Sequence, residues 1–235
     1  MHIHVPKPIH GWKQFFNEVA VITLGIAIAL GGEQLLEKWN EHHQADLSLA
    51  AIKDEIGSNT GGLKSRMATE PCIQRRLDAV ARYIEVAQGP RPNWVGRPQI
   101  WMMNSSAAEA ARSYGSLTAL PRDDQMAISD IYGGFTAIND YQRDEQLAWA
   151  ELRSITEDRE LTDSDKASLR QAIQRARLAD WGVRINAAQA IAKARDALGA
   201  TPDPDIVGSK SVCVAMTTPF DEAVKLSGST YGEPR

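Results

Sequence analysis

Histidines, carboxylates, cysteines and tryptophans are the residues with which this 235-residue chain could do chemistry, and they are placed unevenly. The histidines are His2, His4, His10, His42 and His43, so everything beyond residue 43 lacks the side chain that most often serves as a general base near neutral pH. His2-x-His4 has a spacing that can hold a metal, but Pro6 and Pro8 beside it make this segment read as a flexible tail. His42 and His43 are adjacent, and neighbours on a helix point about 100° apart, so they read as a solvated pair and not as one site. Asp123, Asp124, Asp163 and Asp165 stand at expected helix starts, where a carboxylate complements the helix dipole. No glycine-rich phosphate loop, Gly-x-Ser-x-Gly, His-Glu-x-x-His or paired-cysteine metal motif occurs. We expect no catalytic residue, no metal site and no cofactor.

Cys72 and Cys213 are the two cysteines. An even count in an exported domain reads as one disulfide tying the C-terminal tail to a helix; a free buried thiol is the alternative. A loop rich in proline and glycine from Gln88 to Pro98 contains Trp94 and is closely followed by Trp101; the two could contact a partner or ligand, although tryptophans beside a long loop more often pin it to its own core. Asp180 falls on an apolar helical stripe with Arg184 one turn on; they could pair or bind a polar ligand, and a partly wet stripe is the expectation.

The element that must place all of this is Phe15 to Trp39. Its uncharged run, Val19 to Gly32, is about 14 residues, and Phe15, Phe16, Leu35 and Leu36 extend the apolar body to about 22, enough for a bilayer that needs roughly 20. Glu18 and Glu33 then lie near the two interfaces, with Trp12 and Trp39 as interfacial aromatics. Small residues four apart, Gly25 with Ala29 and Ala27 with Gly31, allow a second membrane helix to approach closely, whether from another protein or from a second copy of the chain. Two other readings remain: a secretory signal with a small-residue site at Ala27-Ile28-Ala29, and a buried core helix of a soluble protein. Lys7 and Lys13 precede the run, and Glu33, Glu37 and Glu41 with one Lys38 follow it; this small lysine excess favours a cytoplasmic N-terminus. That orientation places the anchor in the inner membrane and the domain in the periplasm of a Gram-negative source.

Glu18, Gly25-Ile26, Ile28-Ala29-Leu30 and Trp39-Asn40-Glu41 resemble the opening of an uncharacterised bacterial family of single-pass membrane proteins, with Trp-Asn-Glu one helical turn later than in the family pattern. The resemblance covers the first quarter of the chain. It implies an N-terminal anchor followed by a helical extracytoplasmic domain, and it implies no activity.

Beyond the anchor the helix is expected to run on as a stalk to about Ile56 and to stop at Gly57-Ser58-Asn59 or Gly61-Gly62. Thr69-Glu70-Pro71 starts a helix with the stripe Ile73, Leu77, Val80, Ile84 and Ala87. Ser105 or Ser106 caps an alanine-rich helix, Pro121-Arg122-Asp123-Asp124 opens another, and Thr162 to Asp165 is a capping-box variant before a stripe from Leu169 to Leu198. In the helix opened at Pro121, Gly133-Gly134 is a candidate kink, and polar Gln142 and Glu145 interrupt the apolar stripe as either a solvated stretch or a pocket wall. The tail after Pro204 reads as a strap or short strand. The expected fold is all-α: tail 1–14, transmembrane anchor 15–38, antiparallel helical bundle 39–200 and irregular tail 201–235. A net charge of −4 without a basic cluster argues against a nucleic-acid partner. Expected partners are membrane lipid and another integral membrane protein, the chain serving as a structural or accessory subunit; a sensor or small-molecule-binding bundle is the alternative.

Overall fold

In the computed structural model, described for residues 11–86 and 90–228, six α-helices and three 3-10 turns account for the ordered secondary structure, and no strand occurs among the described residues. The histidines His2, His4 and His10, with Pro6, Lys7, Pro8, Ala87, Gln88 and Gly89, lie outside the described residues.

The first helix, α1 (Trp12–Met67), runs through the expected anchor and stalk into the domain as one element of 56 residues. From Trp12 to Gln44 its described side chains are exposed apart from a half-covered Gly31; from Ala45 onward one face is buried, through Ile52, Ile56 and Leu63. The expected stop at Gly57 or Gly61-Gly62 is therefore wrong, and packing is the reason. A Cβ on Gly57 would meet the Thr201 carbonyl at 3.1 Å, one on Gly61 the Asp203 backbone at 2.6 Å, and one on Gly62 the Trp101 ring at 2.4 Å. These glycines stay helical and form a smooth face against which a returning segment and an indole lie.

After a turn at Ala68 and Thr69, α2 (Glu70–Val86) carries on in the same direction along α5, as the pairs Gln74 with Asp180, Asp78 with Arg177 and Glu85 with Arg170 show. A long segment leads to α3 (Ser106–Ser113) and the 3-10 turn Ser116–Ala119. Ser105 makes no cap bond; the N-terminus of α3 is satisfied instead by Asn104 Oδ1 and by Glu55 of α1, whose Oε2 accepts from Ala107 N at 2.9 Å.

The central pair is α4 (Arg122–Leu152) and α5 (Asp163–Leu198), antiparallel, with Tyr141 on Gly182 and ion pairs Lys193 to Asp130 and Arg175 to Glu151. Gly133-Gly134 interrupts nothing; α4 runs unbroken through it. Thr162 and Asp165 form the expected capping box, and Gly199 ends α5 in the left-handed region at φ 65°. The tail is not a strand. It is a strap with a 3-10 turn at Ser211–Cys213 and a short α6 (Phe220–Leu226), joined to α2 by the Cys72–Cys213 disulfide.

Two large apolar cores result, with a small third cluster of Trp94, Val214 and Ala223 under the strap. The lower one takes Ile52, Ile56 and Leu63 of α1 with Phe135 and Ile138 of α4 and Val183 and Ala187 of α5. The upper one takes Ile73, Leu77 and Val80 of α2 with Trp149 and Leu152 of α4 and Leu169 and Ile173 of α5.

Candidate functional site

Between the two cores lies a layer of buried charge. Arg66, at the last turn of α1, points its Nη2 at Glu145 Oε1 of α4 and at Asp180 Oδ1 of α5, each at 2.8 Å. None of the three side chains is more than 1% exposed. Gln74 of α2 donates to Asp180 Oδ2 at 3.0 Å and to Glu70 Oε1 at 3.1 Å, and Arg184 Nε lies 3.5 Å from both acids. Four helices thus meet through one ionic network. The Asp180 stripe expected to be partly wet is dry there, because Arg66 reaches it from a helix expected to have ended ten residues earlier.

The charges do not balance. Glu70, Glu145 and Asp180 face two guanidiniums, those of Arg66 and Arg184. Burial, with the negative charge of Asp180 and Glu70 adding to it, outweighs Arg66 and pushes the Glu145 carboxyl up to about 7. Burial and the neighbouring Asp180 raise Glu70 as well. Burial pulls Arg66 down, but its two carboxylates outweigh that and leave it raised. The surplus of buried carboxylates thus favours a protonated acid in the network, and Glu145 is the residue most displaced toward holding the proton.

Two buried polar atoms on α4 have no hydrogen-bond partner: Glu145 Oε2 and, one turn on, Trp149 Nε1. Both residues line a cavity of about 240 Å³, with Arg153 just past α4 on the same side and Arg97, Pro98 and Ile100 of the loop segment opposite. It has room for several waters or one small polar molecule.

The tryptophans and cysteines singled out in the sequence are used by the fold. Trp94 is 3% exposed, donates from Nε1 to the Ser211 carbonyl at 3.0 Å and stacks edge-on with Phe220. Trp101 is half-buried on Gly62, and its backbone N–H and carbonyl are both held by Gln142, at 2.7 and 2.8 Å. Gln142 is thus neither solvated nor the wall of an open pocket; it carries the loop. Arg76 supports the same region from α2, donating to the carbonyls of Trp94, Val95, Val212 and Val214. Burial with no carboxylate beside it lowers Arg76 to about 10, still protonated at neutral pH. Among the described residues no cluster of histidine, cysteine or carboxylate could hold a metal.

The membrane candidates keep to the free part of α1. Gly25, Ala27 and Ala29 are exposed and Gly31 is half-exposed, with nothing within 4 Å of a Cβ built on Gly25 or Gly31. Glu18 and Glu33 are exposed, Trp12 is 77% and Trp39 63% exposed, and His43 stacks flat on Trp39. α1 is long and apolar enough to cross a membrane by length and composition, and none of its most apolar window is buried.

Arg66, Glu55, Gln74 and Arg76 were not singled out from the sequence. The readable signal was phase: Arg66 continues Ile52, Ile56 and Leu63 by three, and Arg76 sits between Ile73 and Leu77 on their face. Comparison with protein-family models, with curated proteins and with solved structures gives no match to this chain.

Proposed function

We propose that the chain is a single-pass membrane protein that works by binding, its anchor packing against another integral membrane protein while its helical domain is held on the outer, periplasmic side as an accessory subunit. The observation that carries this reading is the free half of α1. Its apolar side chains, Val21, Ile22, Leu24, Ile28 and Leu30 among them, are more than half exposed in the folded chain, a state that water penalises and lipid does not. A core helix would have covered them. Aromatic groups mark both ends: Trp12 stacked on Phe16, and Trp39 stacked on His43. Trp12 and Trp39 are 27 residues apart, about 40 Å along a helix, which matches a bilayer with its headgroup layers. The resemblance of the opening stretch to single-pass membrane proteins supports the same reading.

The test is a pull-down of the tagged full chain from native membranes in mild detergent. We expect one integral membrane protein in fixed ratio, lost when Gly25 and Ala29 are both replaced by Leu. Recovery of the protein alone would end the accessory-subunit reading. The alternative, a bundle that takes a small molecule, draws on the cavity beside Glu145 and Trp149, whose unpartnered acceptor and donor suit a small neutral or cationic polar ligand.

A further inference from the structure

We propose that the base of the folded domain, centred on Tyr114, rests in the lipid headgroup layer as a second membrane contact beside the anchor. The inference depends on the anchor spanning a bilayer, and goes beyond it by fixing where the domain sits.

The axial length of α1 sets the height of the domain. With Leu36 at the edge of the hydrocarbon, the first buried residue of α1, Ala45, lies nine residues further, about 13 Å along the helix. The headgroup layer takes up roughly 5–8 Å of that. No hinge intervenes, because α1 is continuous from anchor to core. The domain cannot stand off on a flexible linker; its underside is held within reach of the headgroups.

The underside carries a turn suited to that layer. The turn after α3 overhangs the stalk, and Tyr114, Gly115 and Thr118 face Glu33, Leu36 and Glu41 of α1 across an open groove of about 770 Å³. Tyr114 therefore reaches toward the level at which the apolar span ends. Tyr114 is 87% exposed, more than any other large hydrophobic residue described. The turn that presents it is rigid: Gly115 adopts φ 74°, the Gly115 carbonyl accepts from Thr118, and Ser116 Oγ meets Ser48 Oγ of α1 at 2.8 Å. A tyrosine with an apolar ring and a polar tip, held out from a fixed turn, suits the boundary of a membrane.

The register of α4 brings further side chains to the same height. α4 runs alongside α1 in the same direction, since Tyr132 bonds Glu55 and Glu145 pairs with Arg66. Extrapolated back along both helices, Arg122 falls beside Ala45. The exposed Arg122 and half-exposed Met126 thus share the base with Tyr114, and supply a phosphate partner and an apolar side chain at the same height.

The native cysteines are paired, so a single added thiol can be labelled. Full-length protein carrying Tyr114→Cys, Trp39→Cys or Glu160→Cys is labelled with an environment-sensitive fluorophore and reconstituted into phosphatidylcholine vesicles containing a headgroup spin-labelled phosphatidylcholine. We expect quenching at 114 to approach that at 39 and to exceed that at 160, beyond the far end of α4, by about three-fold or more. Inserting seven helix-forming residues between His43 and Gln44 lifts the domain about 10 Å with little rotation and touches no buried contact, so it should cut quenching at 114 at least two-fold while leaving 39 unchanged. Quenching at 39 with none at 114 would overturn the proposal and leave the anchor standing. Absence of quenching at all three positions would overturn the membrane reading itself.

Discussion

At the scale of single residues the energetics turn on two contacts. Glu145 is raised from 4.5 to about 7 by burial among other acids, so between these values the folded chain holds a proton that the unfolded chain has lost. Its contribution to stability is fully present below pH 4.5 and disappears as the pH rises through 7, a loss of about 3 kcal/mol for a shift of this size. Glu145→Gln keeps an oxygen for Arg66 and removes the surplus charge. It should flatten the decline between pH 5 and pH 8 and make the variant more stable than the native chain at pH 8, measured by urea unfolding at each pH. Parallel profiles for the two proteins would show that the proton sits elsewhere in the network. The other contact is Gly62. Alanine there would place a Cβ 2.4 Å from the Trp101 ring, and the strain outweighs the roughly 1 kcal/mol that alanine gains over glycine in a helix. Gly62→Ala should lower stability by about 1–2 kcal/mol. Gly133→Ala, with open space around the new methyl, should raise it by up to about 1 kcal/mol in the same denaturation assay. Neither glycine's role could be read from the sequence, where both look like interruptions; what separates them is a ring that arrives from 39 residues away.

At the scale of elements, most of the fold was legible because periodicity and caps are local. Ile73, Leu77, Val80 and Ile84 are all buried, and Thr162 with Asp165 caps α5 as its spacing implied. What escaped was set by long-range packing. α1 continues past Gly57 because Thr201, Asp203 and Trp101 lie against its glycines, and the charged layer closes because Arg66, at that hidden end, comes level with Glu145 and Asp180. The same division makes a prediction about α1. Its first half contributes nothing to the core, so replacing Gly25 and Ala29 by Leu should leave the thermal unfolding of the detergent-solubilised domain within about 1 °C of the native value. Any loss of partner in the pull-down then reports on the proposed membrane helix and not on a damaged bundle. A fall of several degrees would mean that the free half of α1 packs on the domain.

At the scale of the whole molecule, the tail is fastened to the bundle by two independent means, and their separation can be measured. The Cys72–Cys213 disulfide closes a loop with a sequence separation of 141. In the chain-entropy view a loop of that size restricts the unfolded chain by about 5 kcal/mol, with engineered and native examples often giving less. That restriction acts on the unfolded state and does not itself hold the strap in place. The folded strap is also held by Arg76, whose guanidinium donates to carbonyls on both the 94–95 and the 212–214 segments, and by Trp94 through its bond to Ser211. Replacing both cysteines by serine should therefore lower global stability by several kcal/mol while amides of the strap around residues 211–214 keep their protection from hydrogen exchange until the domain unfolds as a whole. Arg76→Met should do the reverse. With the disulfide intact the unfolding midpoint moves less than in the double serine variant, yet the strap amides exchange faster than the α4 and α5 core, because four carbonyls lose their shared donor in a site that water must then enter. If the double serine variant instead lost strap protection selectively, the covalent bond would be what seats the strap, and the Arg76 network would follow its docking instead of maintaining it.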